Sequence, residues 1–119
     1  MWINSYGQQA RVHWRTWRPS DYAEATQHPQ GEDAFFAELG NQVATEIGER
    51  TQRRVSAADA RGELSGLSEL RLWQLHKIHR GVEDEVLRDR VLRPPEPGAD
   101  DAADGSVGGG LRVPGEPGV

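Results

Sequence analysis

The sequence predicts an all-α protein, in which an antiparallel helical hairpin is crossed by an N-terminal amphipathic helix. Two observations lead to this fold. Apolar residues recur at steps of three and four along two long segments, which places each set on one face of a helix. A polar, glycine-containing stretch over residues 56–63 separates the two segments and is long enough to reverse the chain, so we expect them to pack as a hairpin. The apolar sets are Phe36, Leu39, Val43 and Ile47, and then Leu72, Leu75, Ile78, Val82 and Val86.

The first predicted helix begins near the N-terminus and is rich in aromatic residues. Pro19 ends its pattern, because proline cannot continue a helix. Residues 19–29 follow and are predicted to form a loop with a short turn of helix. The apolar positions of the first helix are Ile3, Tyr6, Ala10, Trp14 and Trp17.

The second helix is predicted from about Gly31 to Val55. It has acidic residues at its start and arginines at its end, the order that a helix dipole favours. The third helix is predicted from Ser65 or Ser68, either of which could cap it, to Arg93, before two prolines. Gly81 costs this helix about 1 kcal/mol relative to alanine, so we expect a weak spot or a close helix contact there.

Length and composition indicate one small domain with a modest core, since the chain has 119 residues and 35% hydrophobic residues. The absence of cysteine excludes a disulfide framework and a zinc ribbon. We expect no membrane span and no secretory leader, and hence a cytoplasmic protein, because no window approaches the roughly 20 apolar residues that a span requires.

Residues 94–119 are predicted to be a disordered acidic tail, since proline and glycine dominate and little apolar surface is left. This segment carries five acidic residues against Arg112, so only −1 of the formal charge of −5 belongs to residues 1–93. The folded part is therefore nearly neutral, and the overall charge indicates no particular partner. We divide the chain into a helical domain at 1–93 and a tail at 94–119.

Candidate metal ligands occur on the third helix, where His76, His79 and Glu83 share a face. A closed site needs a further ligand from another helix, and the second helix offers only Glu38, Glu46 and Glu49, none of which is followed by a histidine three residues later. A solvent-facing or edge-packed histidine pair is therefore the preferred interpretation. The consecutive carboxylates Glu83–Glu85 could suggest acid–base chemistry, but neighbouring residues on a helix point in different directions. They are therefore interpreted as a solvated face. We therefore predict no metal, no cofactor and no catalytic residue, and a protein that is not an enzyme.

The first helix carries Arg11, Arg15 and Arg18 among its tryptophans. These arginines could follow a phosphate backbone. They could instead belong to a protein-binding hot spot, in which tryptophan and arginine are enriched. A third interpretation places the tryptophans in the core and pairs the arginines with Glu32, Asp33 or Glu38. The candidate partner-binding residues are Trp2, Arg11, Trp14, Arg15, Trp17, Arg18 and Trp73.

A helix-turn-helix over Arg53–Leu75 would be a second way to bind nucleic acid, but its connection is too long and polar for a three- or four-residue turn.

The third helix also predicts that the chain self-associates or binds a partner. It carries apolar residues outside its main row, so its apolar arc is wider than one antiparallel neighbour covers. The first helix, a second copy or a larger protein could cover the remainder. The residues outside the row are Leu70, Trp73, Leu87 and Val91.

Three features follow one another along the chain: an aromatic opening segment, the sequence Phe35-Phe36-x-x-Leu39-Gly40, and a long helix ending in Val91-Leu92-Arg93-Pro94-Pro95-Glu96. Their order resembles that in small uncharacterised helical proteins on mobile elements of actinobacteria. The resemblance covers residues 1–97 and carries over no site residue. It implies an accessory protein of a plasmid, integrative element or phage. The predicted function is non-enzymatic interaction with a larger protein partner or a second copy, with weak association with nucleic acid as the alternative.

Overall fold

A computed structural model describes residues 1–99 and shows four α-helices in that range, with no strand. They are α1 (Ser5–Trp17), α2 (Pro19–Thr26), α3 (Glu32–Ala60) and α4 (Ser68–Val86), and a π-helical turn, Leu87–Val91, extends α4. The predicted all-α class is confirmed. Most of the predicted tail, residues 100–119, lies outside the described residues.

The N-terminal ends of α1 and α2 are stabilised in different ways. The Asn4 side chain accepts a hydrogen bond from the Gly7 backbone N–H at 3.0 Å and caps α1. Residues 19–26 form a helix of eight residues. The sequence predicted only a short turn of helix within a loop here, so the helix is longer than predicted. Pro19 stands at the first helical position, where its fixed φ is favourable.

The cap of α2 comes from the far end of the described chain. The Glu96 carboxylate accepts hydrogen bonds from the backbone N–H groups of Ser20 at 3.0 Å and Asp21 at 3.2 Å. The hydrogen bond from Ser20 is the main reason that the pKa of Glu96 lies below its usual range. Glu96 also donates its own backbone N–H to the Trp17 carbonyl at 2.8 Å, and Ala99 is buried. The predicted boundary at residue 93 is therefore wrong, because packed chain continues through Ala99.

Helices α3 and α4 form the predicted antiparallel hairpin. Three ion pairs show the direction, since positions rise along α3 as they fall along α4: Glu46 with Arg90 at 2.7 Å, Glu85 with Arg54 at 2.6 Å, and Asp59 with Arg71 at 3.5 Å. Helix α3 continues to Ala60, five residues beyond the predicted end, because the alanine-rich residues 56–60 favour helix.

The reversal between α3 and α4 occupies residues 61–67, where Gly62 adopts φ +72°. This antiparallel pair joined by seven residues contradicts a helix-turn-helix over Arg53–Leu75, which requires a turn of three or four residues between crossing helices.

The core lies where α1 crosses the hairpin. Its largest fully buried side chains come from both hairpin helices and from the π-helical turn, and the whole apolar row of α3 is buried. The row of α4 is buried only in its second half, because α1 packs both on the first half of α3 and on the end of α4 with its π-helical turn. Leu75 and Ile78 are half-buried, and Leu72 is 57% exposed, so its predicted place in the buried row is wrong. The fully buried side chains are Phe36, Val43, Val82, Val86 and Val91.

Two glycines allow α1 to approach α3 backbone to backbone. A Cβ on Gly7 would collide with the carbonyl oxygen of Phe36 and would lie 2.6 Å from a methyl group of Ile3. A Cβ on Gly40 would collide with the Asn4 side chain and lie 2.9 Å from the Gly7 nitrogen. Gly81 is different, since nothing lies within 4 Å of a Cβ built there. The expected close contact at Gly81 is therefore wrong, and the close contact lies at Gly7 and Gly40.

Candidate interaction surface

Trp14, a predicted partner-binding residue, belongs to the core. It is 6% exposed, its indole Nε1 donates a hydrogen bond to the Val91 carbonyl at 2.8 Å, and its ring packs edge-on against Phe36 with centroids 5.6 Å apart. A side chain closed in this way cannot contact a partner without opening the fold, which corrects its assignment to a binding surface.

The arginines of α1 lie in contacts within the chain. Arg11 pairs with Asp33 and lies 3.5 Å from Glu32, and its guanidinium stands 5.5 Å from the centre of the Phe36 ring. Arg15 is the most exposed of the three and lies 3.8 Å from Glu32. The interpretation that paired these arginines with Glu32 and Asp33 agrees with these distances, whereas Glu38 lies 3.7 Å from His28 instead.

Arg18 joins α1 to α2 and to the segment after the π-helical turn. Its Nε donates to Asp21 at 2.8 Å and its Nη1 donates to the Pro94 carbonyl at 2.8 Å. Arg93 donates to the same Asp21 carboxylate at 3.0 Å. A phosphate backbone on this helix would therefore compete with ion pairs already formed by Arg11 and Arg18.

Two other tryptophans of the N-terminal region lie apart from each other. Trp2 is 78% exposed and lines an open groove of about 1180 Å³ along the outer side of α3, whose other lining residues are mainly polar. Trp17 is half-buried and lines a smaller groove with Val12 and Leu92. The predicted binding residues of residues 1–18 thus do not form one surface.

Trp73 lies in a different region, which we call the distal arm: residues 51–80, the end of α3, the connection and the start of α4. The contacts of α1 and α2 described above lie outside this range, so within residues 1–99 the arm is a pair of helices without a third. Four large apolar side chains are exposed at the start of α4 and at the residue before it, with Leu67 72% and Trp73 59% exposed. The four are Leu67, Leu70, Leu72 and Trp73.

The distal arm is also basic. Residues 51–80 contain six arginines or lysines and three acidic residues, a formal charge of +3, whereas the other described residues contain seven basic and twelve acidic residues, a charge of −5. Two of the three acids of the arm are engaged, Asp59 with Arg71 and Glu63 with Arg61. The near-neutral charge of residues 1–93 conceals this separation, which a count over shorter segments of the sequence would have shown.

Three cations of the arm have no carboxylate partner within residues 1–99: Arg53, Lys77 and Arg80. Lys77 instead lies against Trp73, with its Nζ 5.1 Å from the centre of the ring. This cation–π contact links a residue and the one four positions later, and it favours one placement of the tryptophan ring on the helix.

The candidate metal ligands do not converge. His76 and His79 are exposed, and Glu83 accepts a hydrogen bond from the Tyr6 hydroxyl at 2.7 Å. Across the part of the chain that the structure describes, no group of three His, Cys, Asp or Glu side chains could hold a metal ion. Glu85 pairs with Arg54, so two of the three consecutive carboxylates join helices, and their assignment to a merely solvated face is wrong.

The Tyr6–Glu83 pair predicts a titration at high pH. Donation to Glu83, and burial to a smaller extent, raise the pKa of Tyr6 from 10.0 to about 12. Because the pKa is raised on folding, the stability that this pair contributes is fully present below pH 10.0 and is lost as the pH rises toward about 12. We expect absorbance titration to show a tyrosinate step near pH 12 that Tyr6→Phe removes and Glu83→Gln shifts toward 10.0. A high-pH step unchanged in Tyr6→Phe would contradict the pair.

No helix within residues 1–99 is both long and apolar enough to cross a membrane. The chain matches no protein-family model, and no curated protein and no solved structure matches it.

Proposed function

We propose that this chain is a non-enzymatic helical interaction protein of the cytoplasm that presents its distal arm to a larger protein partner. The single observation behind the proposal is the exposure of Leu67, Leu70, Leu72 and Trp73, at the start of α4 and the residue before it, on a helix that α3 holds in place. Several large apolar residues exposed in one short segment are typical of protein-binding surfaces, and tryptophan is among the residues enriched at the energetic centres of such surfaces.

The body of the protein supports this division of roles. Helix α1 covers the end of α4, where Leu87 is half-buried and Val91 is fully buried. The sequence placed four apolar residues of this helix outside its main row. Leu87 and Val91 are covered within the chain, and the other two, Leu70 and Trp73, remain exposed and available to a partner. The proposed role in a mobile genetic element rests on the resemblance of residues 1–97 alone.

Weak association with nucleic acid is the second candidate function, and the charge of +3 on the distal arm favours it. The three cations that no carboxylate pairs with, Arg53, Lys77 and Arg80, could neutralise three phosphates, which gives a log–log salt slope of roughly −2.7. Binding of this kind does not require the four exposed apolar residues, which is why the protein partner is preferred.

Site-directed photo-crosslinking tests the proposed function. Benzoylphenylalanine placed at Leu70 in the full chain, expressed in the native host, is expected to give a discrete adduct with another protein after irradiation. Leu70 is exposed, so the substitution preserves the fold. The matched control carries the same group at Glu24, an exposed position of α2 far from the arm in sequence, and is expected to give no such adduct.

Three results would contradict the proposal: an adduct that nuclease removes, an adduct with twice the mass of the chain, or equal adducts from Leu70 and Glu24. The first would favour the nucleic-acid alternative and the second a homodimer. A protein adduct from Leu70 that disappears when Trp73→Ala is added would support a binding surface centred on this face.

A further inference from the structure

The exposed side of α4 carries apolar and cationic residues in one row. Leu70, Trp73, Lys77 and Arg80 follow one another at steps of three, four and three, which places them on the same side of the helix. All four are exposed, and we call this row the outer face of α4. The half-buried Leu75 and Ile78 lie on the side toward α3, with the buried Val82.

The outer face has an apolar end and a cationic end. Leu70 and Trp73 are followed by Lys77 and Arg80, and the ten residue steps from Leu70 to Arg80 cover about 15 Å, almost three helical turns. Within the part of the chain that is described, neither cation has a carboxylate partner, whereas Arg54, Arg61 and Arg71 of the same arm do. The unpaired positive charge of α4 is therefore concentrated beside its exposed apolar residues.

We infer that the outer face of α4 binds an acidic amphipathic helix of the partner protein. Such a helix lays its apolar side on Leu70 and Trp73 and places carboxylates opposite Lys77 and Arg80. Burial of the tryptophan supplies most of the affinity, and the opposite charges select the partner and its orientation along α4. The inference rests on the proposed function, since it specifies the chemistry of the segment that the arm contacts.

Charge complementarity selects this occupant over the others. A second copy in parallel orientation would bring the Lys77 and Arg80 side chains of two basic arms together, and like charges across an interface oppose association. In antiparallel orientation Lys77 and Arg80 would lie opposite Trp73 and Leu70 of the other copy, where they would find no carboxylate. A nucleic acid would satisfy the cations but would leave Leu70 without an apolar partner. An acidic amphipathic helix satisfies both halves of the row.

Fluorescence anisotropy with defined peptides tests the inference on the full chain. The probe is a labelled 18-residue peptide with leucines at helical spacing and glutamates on the other side, and the matched probe has lysine in place of every glutamate. We expect the glutamate peptide to bind about tenfold more tightly than the lysine peptide, and the preference to weaken as salt rises. Trp73→Ala should weaken binding of the glutamate peptide about tenfold or more.

Charge reversal separates a specific face from general attraction. The double variant Lys77→Glu, Arg80→Glu is expected to reverse the preference, so that the lysine peptide binds more tightly. Both positions are exposed, and circular dichroism checks that the variant retains its helix content. Arg15→Glu, the same reversal on α1, is the control and should leave the preference unchanged.

Three results would each overturn the inference. They are equal binding of the two peptides, a preference that Arg15→Glu changes as much as the double variant does, and tighter binding of an arbitrary DNA duplex than of the glutamate peptide. Its failure is distinguishable from failure of the proposed function. A protein adduct from Leu70 together with no preference for the glutamate peptide would mean that the partner segment is not acidic, while the proposed function would remain.

Discussion

Phe36→Ala is expected to lower the free energy of unfolding by about 3–5 kcal/mol, the usual loss for a buried aromatic side chain. Phe36 is fully buried and its ring contacts three other aromatic rings, those of Trp14, Phe35 and Tyr22, with centroids 5.6, 5.1 and 6.2 Å away. The substitution removes the residue on which α1 and α2 both pack. Small domains have about 5–15 kcal/mol of stability in total, so we expect a large loss of cooperativity in chemical denaturation as well as a lower midpoint.

The neighbouring residue supplies the control for this prediction. Phe35 lies beside Phe36 in the sequence but is only half-buried, so Phe35→Ala should cost about half as much. Denaturation curves for both variants, recorded by circular dichroism, measure the difference. Equal losses, or a smaller loss for Phe36→Ala, would mean that the aromatic contact of α1 and α3 is not the centre of the core.

Gly7→Ala and Gly40→Ala are each expected to destabilise the protein by about 3 kcal/mol, although alanine favours a helix by about 1 kcal/mol over glycine. Both positions are inside helices, so helix propensity alone predicts the opposite sign. The cost arises because each new Cβ meets atoms of the backbone or of Asn4 at the crossing of α1 and α3, and these atoms cannot move aside without separating the helices. Thermal melts of the purified variants provide the measurement.

Two other helical glycines test whether the close crossing is the cause. A Cβ at Gly48 or Gly81 meets nothing within 4 Å, so Gly48→Ala and Gly81→Ala should stabilise the protein by about 0.5–1 kcal/mol. If all four variants were stabilised, α1 would not lie against α3 in the described manner. If all four were destabilised, glycine itself, and not the crossing, would account for the effect.

The fold class and the hairpin could be predicted from the sequence because helical periodicity is a local property that extends over many residues. The row from Phe36 to Ile47 is buried as its spacing indicates. The extent of burial along α4 could not be predicted in this way, since it depends on which part of α4 lies under α1. Leu72 and Val82 have the same spacing signal, but only Val82 lies where α1 crosses the hairpin.

The details of the candidate site were less accessible for the same reason. The spacing of Trp14 and Arg11 fits a binding surface and a core helix equally well, and only the position of Phe36 on α3 decides between them. Glu96 as the cap of α2 has no signal in the sequence, because the two are 76 residues apart along the chain. The basic character of the distal arm was present in the sequence and was concealed by averaging charge over residues 1–93.

Both proposals depend on one difference: nothing within residues 1–99 covers the outer face of the distal arm, whereas α1 closes the body. Amide hydrogen exchange of the full chain at two protein concentrations tests it most directly, because exchange reports local opening along the chain. We expect fast exchange over residues 64–80, slow exchange over residues 34–47, and no dependence of either on protein concentration. Protection of residues 64–80 equal to that of the core, or protection that rises with protein concentration, would contradict it.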